Sequence, residues 1–224
     1  MSNFTIVSIE GNIGSGKTTL MCNLREQYKN NPLVIFLKEP VDEWSLIQDE
    51  NGTTILEKFY ADQEKYSFPF QMMAYISRLN VLKQALKNLD PNQKYVIFTE
   101  RSLDTDRYVF AKMLYETCKM EYVNYQIYLN WFDSFSGEFP VHKIVYVKTA
   151  PEICHARISK RSREGEDKIE LGYLESCHKY HEEMINHNNE AEKLVLSGNI
   201  DIYENRFELE NWLYKIQYLI RQDF

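Results

Sequence analysis

The chain has 224 residues, enough for one α/β domain with its own core and too few for two comfortable ones. Hydrophobic residues make up 44% and charged residues 26%, an ordinary globular mixture. The 26 basic and 33 acidic side chains leave a net charge of −7. That balance argues against tracking a nucleic-acid backbone through a basic surface, so any phosphate chemistry must rest on a few local cations.

Residues 4–9 (FTIVSI) are short and β-rich and predict a buried strand. A glycine-containing turn follows, then a helix over 17–29. Residues 33–37 (LVIFL) predict a second strand, which Glu39-Pro40 ends because proline cannot donate to a ladder. Residues 95–99 (YVIFT), 143–147 (KIVYV) and 199–203 (NIDIY) predict the third, fourth and fifth strands. Helical patterns cover 70–89, 104–118, 123–135, 171–196 and 209–220. Alternating strands and helices predict an α/β fold with a parallel five-stranded sheet covered on both faces. Such sheets gather their chemistry outside the carboxyl ends of the strands. The rule marks the segments that start at Glu10, Lys38, Glu100, Lys148 and Glu204. No repeat, low-complexity tract or linker divides the chain, so residues 1–224 are expected to form one domain.

The cysteines Cys22, Cys118, Cys154 and Cys177 contain no C-x-x-C pair and outline neither a disulfide framework nor a zinc site. His178 and His181 sit beside Cys177, but no further ligand cluster accompanies them. No apolar run approaches the roughly 18 residues of a membrane span. A strand starting at Phe4 leaves no room for a leader peptide. The expectation is a protein of the cytoplasm or another reducing intracellular compartment, with no membrane or nucleic-acid partner.

Gly11, Asn12, Ile13, Gly14, Ser15, Gly16, Lys17 and Thr18 fit G-x-x-x-x-G-K-[ST] in full, with a strand before and a helix after. The glycines let backbone N–H groups turn inward around phosphate oxygens, and the helix start adds partial positive charge. Lys17 is placed to reach the β- and γ-phosphates of a bound nucleotide, and the Thr18 hydroxyl to bind Mg²⁺. Thr19 completes the ATP-binding set. The motif alone says nucleotide binding and does not separate a kinase from a GTPase or a motor ATPase.

Glu39 ends the second predicted strand on the active rim, and Glu100 ends the third, followed by Arg101 and Ser102. A carboxylate at the position of Glu100 can hold Mg²⁺ directly or through water. Arg157 and Arg161 share a helical face at i, i+4, and Arg163 follows at the edge of the charge-rich segment EGEDK. Three guanidiniums able to close over a phosphate chain suit a transition state whose charge spreads over equatorial oxygens.

Taken together, these pieces resemble the deoxynucleoside kinase family, which includes deoxycytidine, deoxyguanosine and mitochondrial thymidine kinases and an insect multisubstrate enzyme. The resemblance covers nearly the whole chain. It rests on the phosphate loop, Glu39-Pro40-Val41 with Trp44, Tyr60 and Phe68-Pro69-Phe70-Gln71. It continues through Glu100-Arg101-Ser102, Asp106-Arg107-Tyr108, the arginines at 157, 161 and 163, Tyr173-Leu174, and His178 with His181-Glu182.

The resemblance implies a P-loop kinase fold with an arginine-bearing lid over about 157–170, ATP as phosphate donor, and a role in nucleotide salvage. It implies Glu39 as general base for the 5′-hydroxyl and Arg101 as the arginine that holds it. Gln71 would read the base edge, Tyr60 and Glu166 would bind the 3′-hydroxyl, and Trp44 and Phe110 would wall the base slot. Leu56, Phe59, Phe70 and Ala74 would line it, and Phe207 would fall in the loop against the donor's base. A homodimer is implied through the helices near 70–89 and 123–135. Two departures stand out: Gly165 occupies a place where relatives often carry an acid, and Phe59 one where methionine is more common.

Arg78 and Asp106 bear on the choice of base. In the family, such a pair goes with deoxycytidine and purine deoxynucleoside kinases, which implies deoxycytidine, deoxyadenosine or deoxyguanosine over thymidine. Gln71, Ala74 and Arg78 lie at i, i+3 and i+7, on one helix face. Two rival readings remain: a nucleoside-monophosphate kinase, and a nucleotide-binding protein without turnover. The first needs a set of extra cations near 60–71 for the acceptor's phosphate, and no such cluster is seen. The second should have lost Lys17, Glu39 or Arg101, and all are present.

Overall fold

The structure is a computed structural model and describes residues 3–161 and 166–223. The strands are β1 (Phe4–Glu10), β2 (Val34–Leu37), β3 (Tyr95–Glu100), β4 (Lys143–Lys148) and β5 (Glu192–Ser197). They form one five-stranded sheet in the order β2-β3-β1-β4-β5, with every pairing parallel. The helices, in chain order, are α1 (Lys17–Gln27), α2 (Val41–Trp44), α3 (Ile55–Ala61) and α4 (Gln63–Lys87). A π-helical segment, Thr105–Ala111, leads into α5 (Lys112–Glu116). Then come α6 (Tyr122–Phe135), α7 (Pro151–Arg161), α8 (Leu171–His187) and α9 (Arg206–Ile220).

Period-two alternation within the strands assigns their residues to opposite faces. Val7 and Ile9 of β1, with Val96 and Phe98 of β3, pack against Leu20 and Leu24 of α1 and Trp212, Ile216 and Ile220 of α9. Ile6 and Ile97 point the other way, onto Tyr75, Leu79 and Leu82 of α4 and Tyr128 and Phe132 of α6. Each such fully buried side chain contributes about 1.5–3 kcal/mol. The central strands are therefore fixed from both sides, and their carboxyl ends form a firm rim.

Local signals set the helix starts around that rim. Thr54 and Glu57 make a reciprocal capping box at the start of α3, with the Thr54 N–H donating to Glu57 Oε2 at 2.7 Å. Asp62 caps α4 by accepting from the Lys65 N–H. Helix α4 begins before Pro69, although the sequence reading started it at 70. Proline lacks an N–H and normally disrupts a helix interior. Here Phe68 and Phe70, its two neighbours, are held in apolar clusters.

The fifth strand is a correction. Residues 199–203 are not a strand; the strand is Glu192–Ser197, which the helical pattern over 171–196 had absorbed. Helix α8 stops at His187, and Asn188 Oδ1 accepts from the N–H groups of Glu190 and Ala191 to turn the chain. As an edge strand, β5 is mostly exposed, and its apolar stretch is only Leu194-Val195-Leu196, shorter than the apolar runs of β2, β3 and β4. Residues 199–203 instead form the loop beyond it, so the rim there begins at Gly198 rather than Glu204.

Candidate active site

The segment between β1 and α1 needs glycine at specific points. Gly11 and Gly14 have φ of 145° and 77°. A Cβ on Gly11 would meet Ser15 Oγ and the Val147 carbonyl at 2.7 Å, and one on Gly14 the Cys154 carbonyl at 2.7 Å. Lys17 is buried and donates from Nζ to the Asn12 carbonyl at 2.7 Å, while Asn12 Nδ2 ties the loop to the Leu174 carbonyl of α8 at 2.8 Å. Burial, assisted by the charge on Arg101, lowers the Lys17 pKa to about 8. Ser15 Oγ is buried without a hydrogen-bond partner. A tight loop, a desolvated ammonium and an orphaned hydroxyl together suit a polyanion carrying its own acceptors.

Thr18 Oγ1, in the first turn of α1, donates to Glu100 Oε1 at the end of β3 over 2.6 Å. A hydroxyl and a carboxylate at this spacing beside the phosphate loop are the hard oxygen donors that Mg²⁺ takes. The donor set therefore fits the metal.

Across the cleft, Glu39 follows β2. Its Oε1 is 2.9 Å from Arg78 Nη2 and 3.3 Å from Arg101 Nε. Burial pushes its pKa up, but Arg101, Arg78 and Lys17 outweigh burial and hold it at about 2. Arg101 has a left-handed backbone, φ 65°, which costs a non-glycine residue about 1–3 kcal/mol. In that pose its Nη1 donates to the Gly11 carbonyl at 2.9 Å and its guanidinium lies 4.9 Å from the Phe110 ring centre. Arg78, on α4, also donates from Nε to Asp106 Oδ2 at 2.9 Å and from Nη1 to the Glu100 carbonyl at 2.7 Å. Asp106 stays above the ordinary aspartate pKa because burial exceeds what Arg78 returns.

The whole cleft encloses about 450 Å³, and the part away from the phosphate loop is an aromatic slot. Phe59 stacks on Phe70 with ring centres 4.5 Å apart, and Trp44 meets Phe70 edge-on at 5.6 Å. Leu56, Tyr60, Ala74 and Phe110 complete the lining. Gln71 is only 2% exposed, yet its Oε1 has no partner, so an amide acceptor stands unused inside the cleft. Tyr60 and Glu166 both line the cleft, and burial, then the charge of Glu166, raises the Tyr60 pKa. Tyr173, to which the sequence reading gave no role, also lines the cleft and meets Tyr60 edge-on at 6.2 Å.

Arg157 and Arg161 also line the cleft. Arg157 Nη1 donates to the Gly198 carbonyl at 2.8 Å, bracing the loop after β5, and Arg161 pairs with Glu166. Arg163 lies outside the described residues. Phe207 is a correction: it sits in the first turn of α9, not in a loop, and is 78% exposed and absent from the cleft lining. Shifting the fifth strand upstream brings Ile200 and Tyr203 to the cleft in its place, and Tyr203 Oη lies 3.1 Å from Thr19 Oγ1.

Comparison with known proteins agrees with this geometry. A family model described as deoxynucleoside kinase matches residues 7–221. Deoxycytidine kinase 1 of Xenopus laevis is 31% identical, over 94% of this chain and 88% of its own length. Human deoxycytidine kinase is 35% identical over 81% and 75%, and human mitochondrial thymidine kinase 2 is 34% identical over 81% and 64%. With its parallel P-loop sheet and these relatives, the chain belongs to the deoxynucleoside kinase family, enzymes that phosphorylate deoxynucleosides.

Proposed function

We propose that the chain moves the γ-phosphate of ATP onto the 5′-hydroxyl of deoxycytidine or a purine deoxynucleoside in preference to thymidine. Glu39 is the proton acceptor. The observation that carries this reading is the position of Glu39: a carboxylate held by two guanidiniums, lining the same cleft as Lys17 of the phosphate loop.

The transfer is direct and in line, with no phosphoenzyme. Gln71 and the aromatic slot fix the base, and Tyr60 and Glu166 hold the 3′-hydroxyl. Lys17 binds the donor phosphates, and Arg161 and Arg163 cover them. Thr18 and Glu100 would hold Mg²⁺, which when bound supplies charge neutralisation at the phosphates. A carboxylate so far below neutrality is a weak base, so most of the rate comes from alignment and fixed charge.

The preference for base rests on Arg78 and Asp106. The relatives carry both deoxycytidine and thymidine kinase names at similar identity, so names do not decide it. A buried pair 2.9 Å apart matches a base edge bearing an amine and is poorly matched to the 5-methyl group of thymine. The chain works as one domain in a reducing intracellular compartment, with free cysteines. It pairs with a second copy through the exposed apolar residues of α6. No helix of the described residues is long and apolar enough to cross a membrane.

The test is a radiolabelled panel of the four deoxynucleosides, their ribose counterparts and the deoxynucleoside monophosphates at fixed ATP. Deoxycytidine or a purine deoxynucleoside should give the highest kcat/KM. Thymidine at the top would overturn the preference, and turnover of monophosphates instead would overturn the acceptor.

A further inference from the structure

Arg78 makes a contact that the sequence did not signal. Its side chain is almost fully buried, and its donors are divided among three groups. Nε and Nη2 reach Asp106 at 2.9 and 3.4 Å, Nη1 reaches the Glu100 carbonyl at 2.7 Å, and Nη2 also reaches Glu39 Oε1 at 2.9 Å. The two N–H bonds of Nη2 are thus shared between a carboxylate of the base slot and the carboxylate beside the phosphates.

The second feature is an asymmetry on Glu39. Both arginines, Arg78 and Arg101, approach the same oxygen, Oε1. Among the described residues, Oε2 accepts no hydrogen bond. A carboxylate rotates freely about its last bond unless one oxygen is fixed, and its usefulness as a base depends on where the other points. Clamping Oε1 leaves Oε2 as the acceptor atom. Arg101 alone, at 3.3 Å and in a strained backbone, holds it less closely than Arg78 does.

We propose that Arg78 is a positioning residue for the proton acceptor: it fixes Glu39 Oε1 so that Oε2 faces the 5′-hydroxyl, and it ties that orientation to Asp106 in the base slot. This rests on Glu39 being the proton acceptor. A group in the base slot that bonds to Asp106 or Arg78 changes how Nη2 is shared, and so acts on turnover as well as on binding. Base discrimination then shows in kcat, not in KM alone.

The experiment measures kcat and KM for deoxycytidine and deoxyadenosine at saturating ATP. The proteins are wild type, Arg78→Met, Arg78→Lys, Glu39→Gln and the double variant Arg78→Met/Glu39→Gln. Arg78→Met should lower kcat about 10- to 100-fold for both nucleosides, whatever happens to KM. Arg78→Lys should fall less, because an ammonium reaches one carboxylate but does not span both. In the Glu39→Gln background, Arg78→Met should lower kcat no further, because its target is gone. If Arg78→Met does not fold, Arg78→Lys in the two backgrounds carries the same comparison. The proposal is overturned if the Arg78 variants change only KM and preference. It is equally overturned if they lower kcat by the same factor with and without Glu39. Normal turnover by Glu39→Gln alone removes the underlying assignment of the base, a result read without any Arg78 variant.

Discussion

Thr18 Oγ1 and Glu100 Oε1 lie 2.6 Å apart, so the first turn of α1 and the end of β3 meet through two oxygens beside the phosphate loop. If these oxygens hold Mg²⁺, weakening one should show in the metal requirement. Glu100→Gln keeps the shape and removes the charge. The Mg²⁺ concentration for half-maximal rate should rise roughly 10-fold or more, with nucleoside binding little changed. Initial rates against Mg²⁺ at saturating ATP check this, and an unaltered metal dependence would count against the pair.

Lys17 sets the alkaline side of the pH profile. Burial lowers its pKa to about 8, so in the free enzyme the ammonium loses its proton as pH rises through that value. kcat/KM for ATP should fall above about pH 8. Bound triphosphate favours the charged form, so the fall in kcat should come at higher pH. Glu39, held at about 2, stays ionised through the mildly acid range and should contribute no limb between pH 4 and 7. Rate profiles in both parameters test the two statements together.

Helix α6 exposes Tyr122, Val123, Ile127 and Trp131, and the last three recur at four-residue spacing. One face of the helix is therefore apolar and open to water, and Ile76 is exposed on α4, which packs against α6. Trp131→Glu should convert a dimer to a monomer in light scattering while leaving the fold intact by circular dichroism. A wild-type protein that is already monomeric at micromolar concentration would refute the pairing.

Two glycines should respond to alanine with opposite sign. A Cβ on Gly198 would lie 2.0 Å from Thr149 Oγ1 and 2.9 Å from Val147 Cγ1. Thr149 would have to rotate and release the Ser15 carbonyl of the phosphate loop, which it holds at 3.2 Å. Gly198→Ala should cost about 1–3 kcal/mol and raise KM for ATP. Gly172, in the first turn of α8, has open space around it, so Gly172→Ala should stabilise by about 0.5–1 kcal/mol. Thermal denaturation of the two variants compares them directly.

Parts of the site were readable in the sequence where the chemistry is local. The phosphate loop is eight consecutive residues between a strand and a helix, and Glu39 is marked by Pro40 stopping β2. The edge strand β5 was not readable, because its pairing with β4 gives it no buried alternation of its own. That one shift leaves Phe207 off the cleft lining and puts Tyr203 on it. The link between Arg78 and Glu39 spans 39 positions on two elements, and no periodicity connects them. Tyr173 falls in the same class: only folding α8 against α3 sets its ring beside Tyr60.

The π-helical turn from Thr105 to Ala111 carries Asp106 on one side of the nucleoside slot. Such a wide turn holds one residue more than an α-helix would over the same rise. Deleting a single residue there would tighten it to ordinary helical geometry while the flanking β3 and α5 stay in place, so the side chains within the turn would be re-aimed. The direction of Asp106 thus depends on one surplus residue, a short mutational path by which a descendant could exchange one nucleoside for another without touching the phosphate machinery.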